Sequence, residues 1–179
     1  MMRDDMKAIL YTKEEVAERV RQMGAQLTAD YKGEDPILVG VLRGSFIFMA
    51  DLVRCIETPL ELDFVAASSY GTWAVSTGQV DLRLDLEKDI IGRHVIVVED
   101  ILDTGRTLSK LVDELKKRHP ASLKLCVLLD KPERRVAQIE ADYVGFTVPD
   151  EFVVGCGLDF NQKYRQLPYI GILKPSVYE

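Results

Sequence analysis

His94 to Leu115 reads HVIVVEDILDTGRTLSKLVDEL, and the rest of the chain is best understood outward from this stretch. Val95, Ile96, Val97 and Val98 form a continuous β-branched run, the pattern of a strand buried on both faces of a parallel sheet. Two carboxylates, Glu99 and Asp100, stand at its end. Asp103-Thr104-Gly105-Arg106-Thr107 follows, small and hydroxyl-bearing residues around a glycine, and Leu108, Leu111, Val112 and Leu115 then repeat at helical spacing. Strand, tight polar loop and helix make an anion cradle. Free N–H groups at the helix N-terminus, the macrodipole and a glycine that lets the backbone come close all favour a phosphate. Carboxylates beside a phosphate repel it unless hydroxyls or a cation lie between, and a ribose phosphate with Mg2+ supplies both. Taken singly, Glu99 and Asp100 read as a strand end and Asp103 or Thr104 as a helix cap. Their order after a buried strand is what points to the cradle. No GxxxxGK[ST] spacing occurs, so this is not the phosphate loop of nucleoside triphosphatases.

VVEDILDTGRT closely resembles the phosphoribosyl pyrophosphate motif of the type I phosphoribosyltransferase family, and the variant with Glu99, Asp100 and Asp103 looks like that of its hypoxanthine-guanine branch. The resemblance, which covers roughly Ile37 to Leu173, implies an α/β fold with a mostly parallel central sheet flanked by helices and a small hood of the C-terminal segment and chain ends, and the length fits one domain over residues 1–179.

The totals agree with an ordinary globular domain. The chain has 179 residues, 47% hydrophobic and 29% charged. No apolar run reaches membrane-spanning length and MMRDDMKAIL lacks the apolar core of a secretory signal, so the chain is expected in the cytoplasm without a membrane partner. Cys55, Cys126 and Cys156 are odd in number and far apart, reading as reduced, mostly buried thiols. A net charge of -6 argues against nucleic acid as a partner. Positive charge for an anionic substrate must then be local, at Arg43, Arg106, Lys131 and Arg165.

Thr12 and Glu15 make a capping box, and Val16, Val20, Met23, Leu27 and Tyr31 predict a helix from about Lys13 to Tyr31. Ile37 to Leu42 is the next buried strand, ending in Leu42-Arg43-Gly44-Ser45 before a helix that buries Phe46, Met49, Leu52 and Val53. A second strand, glycine-containing loop and helix suits a second anion such as pyrophosphate. In the family this segment resembles the pyrophosphate loop, which implies a cis peptide between Leu42 and Arg43. Alternation from Leu60 to Ala67 and from Gln79 to Leu86 predicts two strands, the second half exposed. The polar stretch between them carries Ser69-Tyr70, matching a family pair in a catalytic lid.

Leu123 to Leu129 reads as a buried strand, and Glu133-Arg134-Arg135 beyond it as a solvated charge run. Strands from Tyr143 to Val148, Phe152 to Gly155 and Tyr169 to Leu173 follow. The remaining roles come from the resemblance, which is dense over PDEFVVGCGLDFNQKYRQLP. It makes Lys131 the donor to the exocyclic oxygen of a 6-oxopurine, Phe152 the stacking ring and Val153 a backbone contact. It makes Asp159 a Mg2+ ligand beside Glu99 and Asp100, and Arg165 a clamp on pyrophosphate. Each role suits its residue type.

The implied reaction joins phosphoribosyl pyrophosphate to hypoxanthine or guanine, with Asp103 as the candidate base because it lies between the acidic pair and the phosphate loop. Homodimers or homotetramers are the family's usual assemblies. Other phosphoribosyltransferases would need another base pocket. The reading from a different class is a regulatory protein of the same fold that senses phosphoribosyl pyrophosphate and binds nucleic acid.

Overall fold

The structure is a computed structural model that describes residues 2–67 and 82–178. Its centre is β5 (His94–Leu102), flanked by β2 (Ile37–Val41) on one side and β6 (Ser122–Asp130) on the other, all parallel. β3 (Glu61–Ala67) extends the sheet beyond β2 in parallel, and β4 (Leu82–Leu84) adds an antiparallel edge. β7 (Tyr143–Thr147) closes the other side, giving the order β4-β3-β2-β5-β6-β7.

The apolar runs of these strands split alternately between two cores, which is why they read as continuous rather than alternating. Ile37, Val39, Val95, Val97, Leu125 and Val127 pack on one face with Leu108, Leu111 and Leu115 of α3 (Arg106–Lys116). Leu38, Ile96, Val98, Cys126 and Leu128 pack on the other with α1 (Lys13–Asp30) and α2 (Phe46–Val53). Thr12 caps α1 as expected: its N–H donates to Glu15 Oε2 at 2.7 Å and its hydroxyl accepts from Glu15 N–H at 3.3 Å. Such a cap is worth ~1 kcal/mol.

A second, antiparallel sheet of order β1-β9-β8 forms the hood from β1 (Met6–Tyr11), β8 (Val153–Val154) and β9 (Ile170–Leu173), and a last short helix, α4 (Pro175–Tyr178), follows. The hood is thus built from the C-terminal segment and both chain ends, with Met6–Tyr11 adding a strand that no alternation in the sequence marks. Lys174 N–H donates to Asp5 O at 2.9 Å and Tyr164 hydroxyl to Asp5 Oδ2 at 2.9 Å, tying the two ends together.

Three local expectations change. Phe46 is 45% exposed, and Phe48 takes the buried position on α2 with Met49 and Leu52. On β3, Leu62 is exposed while Asp63 and Val65 are buried, so the deeper face is the one carrying a carboxylate. That carboxylate accepts from Phe64 N–H and Lys88 N–H, which satisfies it. The strand expected from Gln79 to Leu86 is described only from Leu82 to Leu84; its first three residues lie outside the described residues.

Candidate active site

Chain direction across the sheet reverses between β2, which leads outward to β3, and β5, which leads the other way to β6. Ligands of open α/β sheets bind at the carboxyl ends of strands at such a switch point. Here β5 outlasts its neighbour. It pairs with β2 only as far as Val98 but with β6 as far as Leu102, so Glu99 and Asp100 lie inside the strand and not after it. The overhang leaves their β2 side open as one wall of a crevice.

The two loops at that crevice touch. A side chain on Gly44 would overlap the Asp100 carboxylate, and one on Gly157 would overlap Gly44 O. The Leu42–Arg43 peptide is cis, as the resemblance implied. Gly105 has φ of 75° and stands at the N-cap of α3, so the residue type fits the turn that starts the helix. A cavity of about 270 Å3 is lined by Leu42, Glu99, Asp100, Asp103, Thr104, Gly105 and Thr107. Arg106 is exposed at the start of α3.

Glu99 and Asp100 are neighbours on β5 in a poorly solvated setting, where the Asp100 N–H donates to Glu99 Oε1 at 3.2 Å. Burial, then the charge of Asp100 and the hydrogen bond with it, push the Glu99 carboxyl well above the usual range. Burial also raises Asp100, against the opposing pull of its hydrogen bonds and of the Arg165 charge. Among the described residues no group of three His, Cys, Asp or Glu side chains forms a ready metal cage. A carboxylate pair short of a cation, all oxygen donors, fits Mg2+ arriving hydrated on a substrate's phosphates.

Across the crevice, Asp159 pairs with Arg165 at 2.8 Å and accepts from Gln162 N–H at 2.7 Å. Arg165 Nη1 donates to Gly157 O at 2.7 Å. Gln162 Oε1 accepts from Arg165 Nη2 at 3.2 Å and Arg43 Nη1 at 3.4 Å, so one amide draws the two cations of separate loops together. Gln162 lies within the quoted C-terminal stretch, but sequence reading gives it no role.

A second cavity, of about 410 Å3, meets the first at Asp103 and is lined by Lys131, Arg134, Phe152, Val153, Asp159 and Tyr178. Lys131 is 5% exposed, its Nζ donating to Glu151 O at 2.7 Å with Asp150 Oδ1 at 3.9 Å. Phe152 is 37% exposed and keeps its ring by stacking on Tyr178, centroids 5.0 Å apart, with Phe160 edge-on at 5.5 Å. Val153 is buried in β8. Asp103 Oδ1 is hidden from solvent and has no hydrogen-bond partner among the described residues; Arg134 Nε stands 3.4 Å away. Ser69 and Tyr70 lie outside the described residues.

A phosphate-sized cleft with paired carboxylates, opening onto a largely polar pocket with one exposed ring and one buried lysine, defines an α/β enzyme for phosphorylated sugars and ring-shaped bases. The chain belongs to the phosphoribosyltransferase family: the family model described as a phosphoribosyl transferase domain matches residues 7–161. It is 53% identical over 178 residues to a hypoxanthine-guanine phosphoribosyltransferase of Streptococcus pneumoniae, covering 99% of each chain. To that of Bacillus subtilis it is 50% identical over 179 residues, covering 100% of this chain and 99% of the relative. A crystal structure of a hypoxanthine phosphoribosyltransferase from Staphylococcus aureus superposes with a TM-score of 0.94 at 49% identity, covering 99% of this chain and 97% of that one.

Proposed function

We propose that the protein serves purine salvage, transferring the 5-phosphoribosyl group of phosphoribosyl pyrophosphate to N9 of hypoxanthine or guanine and releasing pyrophosphate. The relatives' names support this activity and lend nothing to the regulatory, nucleic-acid-binding alternative. The observation that carries the proposal is Asp103, whose buried Oδ1 makes no hydrogen bond among the described residues, has the Arg134 guanidinium 3.4 Å away and stands where the phosphate cleft meets the base pocket.

In this reading the Thr104 and Thr107 hydroxyls and the N–H groups from Asp103 to Thr107 take the 5'-phosphate, with the Arg106 guanidinium adding charge beside it. Glu99 and Asp100 accept from the ribose hydroxyls. Glu99, Asp100 and Asp159 are the oxygen donors for Mg2+, which when bound neutralises part of the pyrophosphate charge. Leu42, Arg43 and Gly44 form the pyrophosphate loop, and Arg43 and Arg165 stabilise charge as the C1'–oxygen bond breaks and pyrophosphate leaves with the electron pair. Phe152 stacks on the base, Val153 meets its edge through the backbone, and Lys131 donates to the exocyclic oxygen. As N9 bonds to C1', the proton on N7 passes to Asp103. Ser69 and Tyr70 are assigned to the lid that excludes water from the ribosyl cation. The proposal treats residues 1–179 as one cytoplasmic domain assembling as a homodimer or homotetramer.

Lys131→Ala separates base recognition from sugar-phosphate binding. The expected result is a kcat/KM for hypoxanthine lowered about 10- to 100-fold, the worth of a charged hydrogen bond, with calorimetric affinity for phosphoribosyl pyrophosphate kept. Equal loss of both would remove Lys131 from base recognition.

A further inference from the structure

The Glu133-Arg134-Arg135 run is solvated only in part. Glu133 is exposed, but the Arg135 side chain is 16% exposed and all of its donor nitrogens are used. Nε donates to Asp103 O at 2.9 Å, Nη2 to Leu102 O at 3.2 Å and Nη1 to Ile139 O at 2.8 Å, and Nη2 also pairs with Asp130. The backbone beside it continues the pattern. Lys131 N–H donates to Leu102 O at 3.0 Å, and Val136 and Ala137 N–H both donate to Thr104 O, at 3.0 and 3.1 Å.

Three consecutive carbonyls, of Leu102, Asp103 and Thr104, are thus held by the segment from Lys131 to Ala137. In a planar trans peptide the N–H points opposite to the C=O. Turning these carbonyls toward that segment therefore turns the N–H groups of Asp103, Thr104 and Gly105 toward the crevice, and none of the three has an acceptor among the described residues. Leu102 O and Thr104 O accept from backbone N–H groups, whereas among the described residues Asp103 O accepts only from Arg135. The loop also rests on the arginine stem: a side chain on Gly105 would press on Ile139 and on Arg135 Cδ.

We propose that Arg135 is a positioning residue for phosphoribosyl transfer. Its guanidinium sets the orientation of the Asp103–Thr104 peptide, so that the Thr104 N–H meets the substrate's 5'-phosphate. The inference rests on the phosphoribosyltransferase reading and assigns a role to a residue that touches no substrate atom. Lysine cannot replace it, because one ammonium lacks the planar fork that spans Asp103 O, Ile139 O and Asp130 together.

The test measures binding of guanosine 5'-monophosphate and of guanosine, which lacks the phosphate, to the wild type, Arg135→Ala, Arg135→Lys and Asp130→Asn, each with its melting temperature. Both Arg135 variants should bind the monophosphate roughly 10- to 100-fold more weakly, and Asp130→Asn less so, with guanosine affinity changed under about 3-fold. Guanidinium ion added to Arg135→Ala should restore part of the monophosphate affinity. A merely structural role predicts lowered melting temperatures with both ligands weakened alike and no rescue, which would overturn the proposal. Unchanged monophosphate affinity in Arg135→Lys would also overturn it. Failure of the wild type to bind the monophosphate would strike the functional reading itself.

Discussion

Among the described residues Asp103 has one oxygen hidden from solvent that makes no hydrogen bond, with only the Arg134 guanidinium 3.4 Å away, and such a group is costly unless it is used. Asp103→Asn keeps the shape and removes the proposed base, so kcat should fall by roughly a hundred- to ten-thousand-fold with little change in melting temperature. Unchanged kcat would exclude it from proton transfer. Glu99 carries a second residue-scale consequence. Its carboxyl is raised in the folded protein, so the folded state holds the proton more firmly than the unfolded chain. The associated stability is full below the ordinary glutamate value and is lost as pH rises through the raised one. Glu99→Gln should therefore raise the melting temperature of the substrate-free protein at about pH 8 and flatten its decline from about pH 5. An unaltered pH slope would show that the pair does not hold the proton. At this scale the sequence made the residues of the central motif legible because their chemistry is crowded into one short stretch. Arg135 and Gln162 were not, since an arginine's tertiary acceptors and a glutamine's bridging position leave no local pattern.

At the scale of elements, the site depends on strand ends of unequal length and on loops that meet without side chains between them. Gly44→Ala would drive a methyl group into the Asp100 carboxylate, and the loop must shift to admit it. The expected cost is about 1–3 kcal/mol of stability, with weakened affinity for phosphoribosyl pyrophosphate read by calorimetry. Full stability with full affinity would mean that the Gly44 loop need not lie against Asp100 of β5. The buried strands and α3 were readable because their apolar runs and helical spacing are long and consistent. α2 is only eight residues, almost all apolar, so periodicity could not choose between Phe46 and Phe48. β1 is shorter still, and its partner β9 lies at the other end of the sequence, beyond the reach of a local pattern.

The whole molecule joins its ends over the base pocket. β1 and β9 pair, Lys174 binds the N-terminal turn, and the chain then brings Tyr178 onto Phe152. The Phe152 ring, proposed to stack on the base, is therefore supported by Tyr178. Tyr178→Ala should raise KM for the base roughly 2- to 10-fold, the worth of one aromatic pair, while Tyr178→Phe leaves it unchanged. A matching rise in KM for phosphoribosyl pyrophosphate would show a general loosening instead. A net charge of -6 is compatible with a substrate that carries two anionic groups because Arg43 and Arg165 converge through Gln162. The most direct test of the account is to supply the purified protein with phosphoribosyl pyrophosphate and Mg2+ and to offer hypoxanthine, guanine, adenine and uracil separately, following nucleotide formation by absorbance. Turnover of hypoxanthine or guanine, with adenine and uracil unused, is the predicted result; turnover of none, or of adenine or uracil in their place, would contradict it.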